Sequence, residues 1–215
     1  MPYTTLFFDL DDTLYPASSG LWQEIRSRIE VYMHERLGFA AEEIPTVRRD
    51  LFTRYGTTYL GLKQEYRIDP MDFLAYVHDL PLNRFLAVDP GLRRMLEGLP
   101  QQKIIFTNAD RNHASRVLTY LGITDCFTGV VDILRNDPYC KPRAEAYLNA
   151  LAEAGNPSPE QCVMIDDAPR NLVTARELGM YTVYVGDQPC DCAHARIQSI
   201  LELPEVLSPA LSRTN

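Results

Sequence analysis

Short apolar runs at Thr5–Phe8, Lys103–Phe106, Val130–Ile133, Cys162–Ile165 and Thr182–Val185 punctuate the chain. Each has the length of a strand, and helix-patterned segments separate most of them. That alternation predicts an α/β fold: a Rossmann-like parallel sheet with helices on both faces. The helix boundaries are marked as well. Asp89-Pro90 supplies an N-cap and a first helical residue for a helix running through Leu96. Helices over Asn112–Leu121, Arg143–Ala154 and Pro169–Leu178 stop at Gly122, Gly155 and Gly179, as helices that end in a left-handed residue do.

Residues 17–88 follow another pattern. Leu21, Ile25, Ile29, Tyr32, Met33 and Leu37 recur at helical spacing, and Gly38 follows. Asp69-Pro70 opens a further helix that carries Phe73, Leu74 and Val77. No strand pattern interrupts the stretch. It predicts an all-helical insert at 17–88, placed in a sheet core made of residues 1–16 and 89–215. Trp22 is expected to pack between helices of the insert. The last dozen residues, ending in Ser208 to Asn215, read as a loose tail.

Composition narrows the classes. A chain of 215 residues with 46% hydrophobic content can bury one core plus a small lobe. No apolar run approaches the roughly 20 residues of a membrane span. No basic segment precedes an apolar one at the N-terminus, so no signal peptide is expected. A cytoplasmic location and no membrane partner follow as expectations. The net charge is −8 and no Lys/Arg cluster appears, which argues against a nucleic-acid polymer as partner. An acidic chain that binds a phosphorylated small molecule needs a local cation. The five cysteines include the close pair Cys190 and Cys192. Cys190-Asp191-Cys192-Ala193-His194 lacks a second ligand cluster for a metal, so reduced thiols in a loop are expected.

In open α/β sheets ligands bind beyond the carboxyl ends of the strands. The first strand runs into Asp9-Leu10-Asp11-Asp12-Thr13, and the second into Thr107-Asn108. The third leads through a loop to Lys141-Pro142, and the fourth ends in Asp166-Asp167. Carboxylates, a hydroxyl and a lysine therefore gather on one edge. In extended backbone, positions two apart point the same way, so Asp9 and Asp11 can face one reacting group. One can attack while the other handles a proton. A pair of solvated acids in a turn is the plainer alternative. Thr107 can offer its hydroxyl and Asn108 its backbone N–H to a phosphate oxygen. Lys141 supplies a point cation, and Asp166 and Asp167 supply the oxygen ligands that magnesium prefers.

Taken in order, Phe8-Asp9-Leu10-Asp11-Asp12-Thr13-Leu14-Tyr15, Phe106-Thr107-Asn108, Cys140-Lys141-Pro142 and Ile165-Asp166-Asp167 resemble the four motifs of the haloacid dehalogenase-like hydrolase superfamily. The resemblance implies a Mg²⁺-dependent phosphohydrolase. Asp9 would be the nucleophile that becomes an aspartyl-phosphate, and Asp11 the general acid and base. Thr107 and Lys141 would hold the phosphoryl oxygens. Asp9, the backbone carbonyl of Asp11, and Asp167 would ligate Mg²⁺, with Asp166 beside them. Asn171 falls where many relatives carry a further acid. Dehalogenases of the superfamily lack an acid matching Asp11, so its presence favours phosphate chemistry. The 17–88 insert matches the type of helical cap placed between the first and second motifs.

Further pieces resemble the pyrimidine 5′-nucleotidases of the fungal and plant type. They are Asp12-Thr13-Leu14-Tyr15-Pro16, Tyr55-Gly56-Thr57-Thr58-Tyr59-Leu60-Gly61-Leu62, Phe106-Thr107-Asn108-Ala109-Asp110-Arg111-Asn112-His113-Ala114 and Ile165-Asp166-Asp167 with Asn171. The resemblance implies hydrolysis of a nucleoside monophosphate such as UMP or CMP. Alternatives stay open: a phosphatase or mutase for a sugar phosphate, a 2-haloacid dehalogenase, or a binding protein without catalysis. Tyr55, Tyr59 and Tyr66 suit base stacking, ribose contact or plain helix packing. His113 reads equally as a substrate contact and as a surface residue at a helix start.

Overall fold

The computed structural model describes residues 3–207. Of the predicted loose tail, residues 204–207 instead belong to a helix over Leu203–Leu207 that buries Leu203 and Leu207, and Ser208–Asn215 lie outside the described residues. The sheet contains β1 (Thr5–Phe8), β2 (Gln102–Phe106), β3 (Gly129–Val131), β4 (Cys162–Asp166), β5 (Tyr181–Val185) and β6 (Ala195–Ile197). Its spatial order is β3-β2-β1-β4-β5-β6, and every pairing is parallel. β1 lies in the middle, so the loop after it emerges between the ends of β2 and β4.

Parallel strands buried on both faces read as continuous apolar runs, and β1 shows why. Leu6 and Phe8 point into one core, with Ile105, Val163 and Ile165. Phe7 points into the other, with Phe106, Met164 and Tyr147. Leu6, Phe7 and Phe8 are all fully buried. Truncating one such phenylalanine to alanine is expected to destabilise the fold by about 3–5 kcal/mol.

Between β1 and β2 the chain forms α1 (Leu21–Leu37), α2 (Ile44–Tyr55), α3 (Thr58–Tyr66), α4 (Pro70–His78) and α5 (Pro90–Glu97). No strand occurs among the described residues 17–88. The predicted caps are present. Asp69 accepts from the N–H groups of Met71 and Asp72, and Asp89 from those of Gly91 and Leu92. Such carboxylate caps satisfy donors that the helix itself leaves free. Beyond β2 lie α6 (Arg111–Leu121), α7 (Ala144–Glu153), α8 (Pro169–Glu177) and α9 (Leu203–Leu207).

Three further expectations need correction. The apolar runs predict five strands, but β6 adds a sixth at the edge. It is only three residues long, too short to show an apolar period. Cys190 and Cys192 are joined by a disulfide rather than standing as reduced thiols. One intervening residue sets their Cα atoms 5.2 Å apart, within bridging distance. Trp22 is 39% exposed instead of packed between helices. It lies one residue off the Leu21-Ile25-Ile29 stripe, so the helix turns it away from the α1 core face. No helix among the described residues is long and apolar enough to cross a membrane.

Candidate active site

Asp9 follows β1 directly, and its N–H donates to Ile165 O of β4 at 2.9 Å. That bond extends the β1–β4 ladder and brings Asp9 beside Asp166, the last residue of β4. Lys141 arrives from the loop after β3. Its ammonium nitrogen lies 2.8 Å from Asp9 Oδ1 and 2.7 Å from Asp166 Oδ2. Asn171, on the first turns of α8, donates to both oxygens of Asp166 at 3.0 Å. The Thr13 hydroxyl accepts from Asp167 N at 3.1 Å and lies 3.5 Å from Asp9 Oδ2. The post-β1 loop and the β4 end are thereby tied together.

Asn108 has a defined task here. Its amide donates to Lys141 O and accepts from Lys141 N, both at 3.0 Å. This two-point clasp holds the lysine's backbone against the end of β2. Thr107 is buried, and its hydroxyl accepts from Ala109 N at 3.0 Å.

The electrostatics are unbalanced. Burial pushes the Asp9 carboxyl well up; Lys141 pulls it down, while Asp166 and Asp167 push it further up. Asp167 is pushed up to about 7 by burial, with repulsion from Asp166 and Asp12 added. Burial works against the Lys141 charge, yet Asp166 and Asp9 outweigh it and hold its pKa above the usual value. One ammonium thus faces more negative charge than it can offset. Oxygens of Asp9, Asp166 and Asp167 lie within 4.8 Å of one another. An all-oxygen set with surplus negative charge fits a hard divalent cation.

Asp11 is held apart from this cluster. Its Oδ1 accepts from the Tyr15 hydroxyl and lies 2.9 Å from His113 Nε2. Burial would raise the Asp11 carboxyl, but the charge and hydrogen bond of His113, together with the Tyr15 hydroxyl, outweigh it and hold the pKa below the usual carboxylate range.

Asp9, Asp11, Thr107, Asn108, Lys141, Asp167 and Asn171 all border one cavity of 250 Å³. Its far wall comes from the helices between β1 and β2, where Trp22, Arg48, Phe52 and Tyr59 reach it. Asp166 is sealed beneath. A larger cavity of 710 Å³ lies on the other side of the post-β1 loop and includes neither Asp9 nor Lys141. Of the tyrosines singled out in the sequence, Tyr59 lines the site cavity. Tyr66 is 42% exposed and packs against Phe39. Tyr55 binds Glu65 at the surface.

Sequence reasoning left several neighbours unassigned. Tyr15 lies four residues beyond Asp11, a spacing that could have been read. The Asn171 bond to Asp166 and the place of His78 behind His113 carry no local signal.

Comparison with known proteins gives this geometry a family. Phosphate metabolism protein 8 of Saccharomyces cerevisiae is 30% identical over 188 residues, 81% of this chain and 59% of the yeast protein. The chain therefore spans less than two thirds of that relative. A HAD phosphatase from Thermococcus onnurineus shares the fold with a TM-score of 0.65 at 19% identity, over 95% of this chain and 98% of its own. L-2-haloacid dehalogenase from Xanthobacter autotrophicus shares it with a TM-score of 0.60 at 14% identity, again over 95% and 98%. Enzymes of both chemistries thus have this fold, and the fold alone does not choose between them. The family model for haloacid dehalogenase-like hydrolases matches residues 3–179. With that match over most of its length, the chain belongs to the haloacid dehalogenase-like hydrolases.

Proposed function

We propose that this hydrolase is a Mg²⁺-dependent phosphatase that works through an aspartyl-phosphate on Asp9, and that its substrates are nucleoside 5′-monophosphates such as UMP and CMP. One observation carries the phosphate reading. Asp11 borders the same cavity as Asp9, with one carboxylate oxygen held by Tyr15 and His113. A departing halide needs no proton, whereas a departing alkoxide does.

The reaction has two halves. Asp9 attacks phosphorus as the bond to the leaving oxygen breaks, and Asp11 gives that oxygen its proton. Water then attacks the phosphorus of the aspartyl-phosphate, and Asp11 takes a proton from it. Asp9 is released, Asp11 is again protonated, and one water has become part of inorganic phosphate. Lys141, the Thr107 hydroxyl and the Asn108 N–H would hold the phosphoryl oxygens. Each positioned donor contributes about 2.7–4 kcal/mol to the barrier reduction, by analogy with oxyanion-hole deletions. Asp9, Asp167 and the Asp11 carbonyl would hold Mg²⁺, with Asp166 alongside. The bound ion would offset repulsion between an anionic nucleophile and an anionic phosphate.

In this reading residues 17–88 act as a cap over a core of 1–16 and 89–215. The cavity wall supports a nucleoside as the leaving group. Trp22 and Phe52 are each 39% exposed at the cavity, and can cover a flat base. The buried Tyr59 hydroxyl has no hydrogen-bond partner among the described residues and can donate to a base carbonyl.

The test is phosphate release from a panel of UMP, CMP, sugar phosphates and p-nitrophenyl phosphate with Mg²⁺, against an Asp9→Asn control. Turnover of UMP and CMP ahead of the sugar phosphates is expected. No release above the control would remove the phosphatase reading, and faster sugar phosphates would remove the nucleotidase one.

A further inference from the structure

A carboxyl group that delivers a proton must present one oxygen and keep the other from rotating into its place. Asp11 is arranged that way. Tyr15 and His113 both engage Oδ1, and among the described residues no hydrogen bond takes Oδ2. Whether Asp11 is ionised or carries its proton on Oδ2, Oδ1 can only accept, so His113 Nε2 carries the hydrogen.

His113 is itself fixed from two sides. Its side chain is fully buried, and its Nδ1 has no hydrogen-bond partner among the described residues. The bond to Asp11 therefore sets the ring's orientation. Asp110 caps α6 by accepting from Asn112 N and His113 N through Oδ1. Through Oδ2 it meets Nδ1 of His78 at 2.6 Å. The His78 ring stacks on that of His113, with centroids 4.2 Å apart and planes 20° apart. His78 is the last residue of α4, so a helix inserted between β1 and β2 backs the group that holds Asp11.

From this geometry we propose that His113 is a positioning residue for Asp11: it retains Oδ1 so that Oδ2 carries the proton to the leaving oxygen, while His78 braces the ring. The inference rests on the phosphatase reading above. As the Asp9–phosphorus bond forms and the phosphorus–oxygen bond breaks, the proton on Oδ2 passes to the leaving oxygen. Asp11 is left as a carboxylate whose charge the His113 N–H shares. His113 itself neither gains nor loses a proton.

Two esters separate this role from a merely structural one. The alcohol of a nucleotide leaves poorly without a proton, whereas p-nitrophenolate leaves without one. The ratio kcat/KM reports only steps up to departure of the leaving group. His113→Phe keeps a buried ring against His78 and removes the donor. It should lower kcat/KM for UMP, or for the fastest alkyl phosphate of the panel, by about 100-fold, and for p-nitrophenyl phosphate by less than about 5-fold. His113→Gln retains an N–H donor and should recover the alkyl ester to within about 10-fold of wild type. Thermal melts check folding. If His113→Phe does not fold, His78→Leu is read in the same assay, with a selective loss on the alkyl ester expected. Equal losses on both esters would overturn the proposal and leave the phosphatase reading intact. A wild-type chain inert to both esters would remove that reading and this role with it.

Discussion

Lys141 and Asp9 meet inside the protein, with the ammonium 2.8 Å from Oδ1, the lysine side chain 1% exposed and the aspartate side chain 12%. Asp166 completes the triad at 2.7 Å. Lys141→Met keeps the stem and removes the charge, leaving two buried carboxylates without their shared cation. Breaking a buried ion pair from one side is expected to destabilise the fold by about 3–5 kcal/mol. Loss of a phosphoryl contact should lower kcat by about 100-fold or more. Denaturant melts and p-nitrophenyl phosphate kinetics check both. Wild-type turnover in the variant would remove Lys141 from the reaction.

Metal binding and pH should be linked through Asp167. Its folded pKa is about 7, against an ordinary 3.8. Between those values the metal-free folded chain holds a proton that the unfolded chain has released, so this group's contribution to stability falls as pH rises. Ligating carboxylates must be ionised, so Mg²⁺ competes with that proton. The Mg²⁺-induced rise in Tm should therefore grow from about pH 5.5 to about pH 8. Chelation with EDTA should abolish turnover. A Mg²⁺ shift that is flat across this range would count against Asp167 as a ligand.

Tyr59→Phe removes a hydroxyl that is buried and has no partner among the described residues. Losing an unsatisfied polar group is neutral or mildly stabilising, whereas losing a substrate hydrogen bond is not. The variant should melt at or slightly above the wild-type temperature. Its kcat/KM for UMP should fall about 10-fold, which corresponds to about 1.4 kcal/mol. Turnover of p-nitrophenyl phosphate should be unchanged. An unaltered UMP profile would show that this hydroxyl does not read the substrate.

Gly61→Ala sets two local effects against each other. Alanine is the better helix former by about 1 kcal/mol. A Cβ at this position, however, would sit 2.7 Å from Leu51 Cβ and 2.8 Å from Leu51 Cδ2, where α2 and α3 touch. Overpacking of this kind typically costs about 1–3 kcal/mol, so the clash should win and Tm should fall. Because α3 carries Tyr59, KM for UMP should rise as well. A higher Tm would mean that the two helices separate freely.

Much of this protein is decided locally, and so it is legible in the chain. Apolar runs mark β1, β2, β4 and β5 because both faces of a parallel sheet are buried. The caps at Asp69 and Asp89 are readable because a carboxylate reaches donors only two or three residues ahead. Asp9 and Thr107 directly follow their strands, and Asp166 ends its own, because apolar periodicity stops where the sheet does.

Tertiary structure decided the rest. His113 lies 102 residues from Asp11, and His78 32 residues from Asp110. Only the parallel pairing of β1 with β2, with the end of α4 meeting α6 at His78 and His113, brings those partners into contact. Asn108 clasping Lys141, Asn171 holding Asp166 and Trp22 turned toward the cavity are likewise products of packing. By itself the sequence determined which residues end the strands. Which oxygen of Asp11 is held, and what braces the group that holds it, depended on contacts between distant segments, for which a linear pattern has no period.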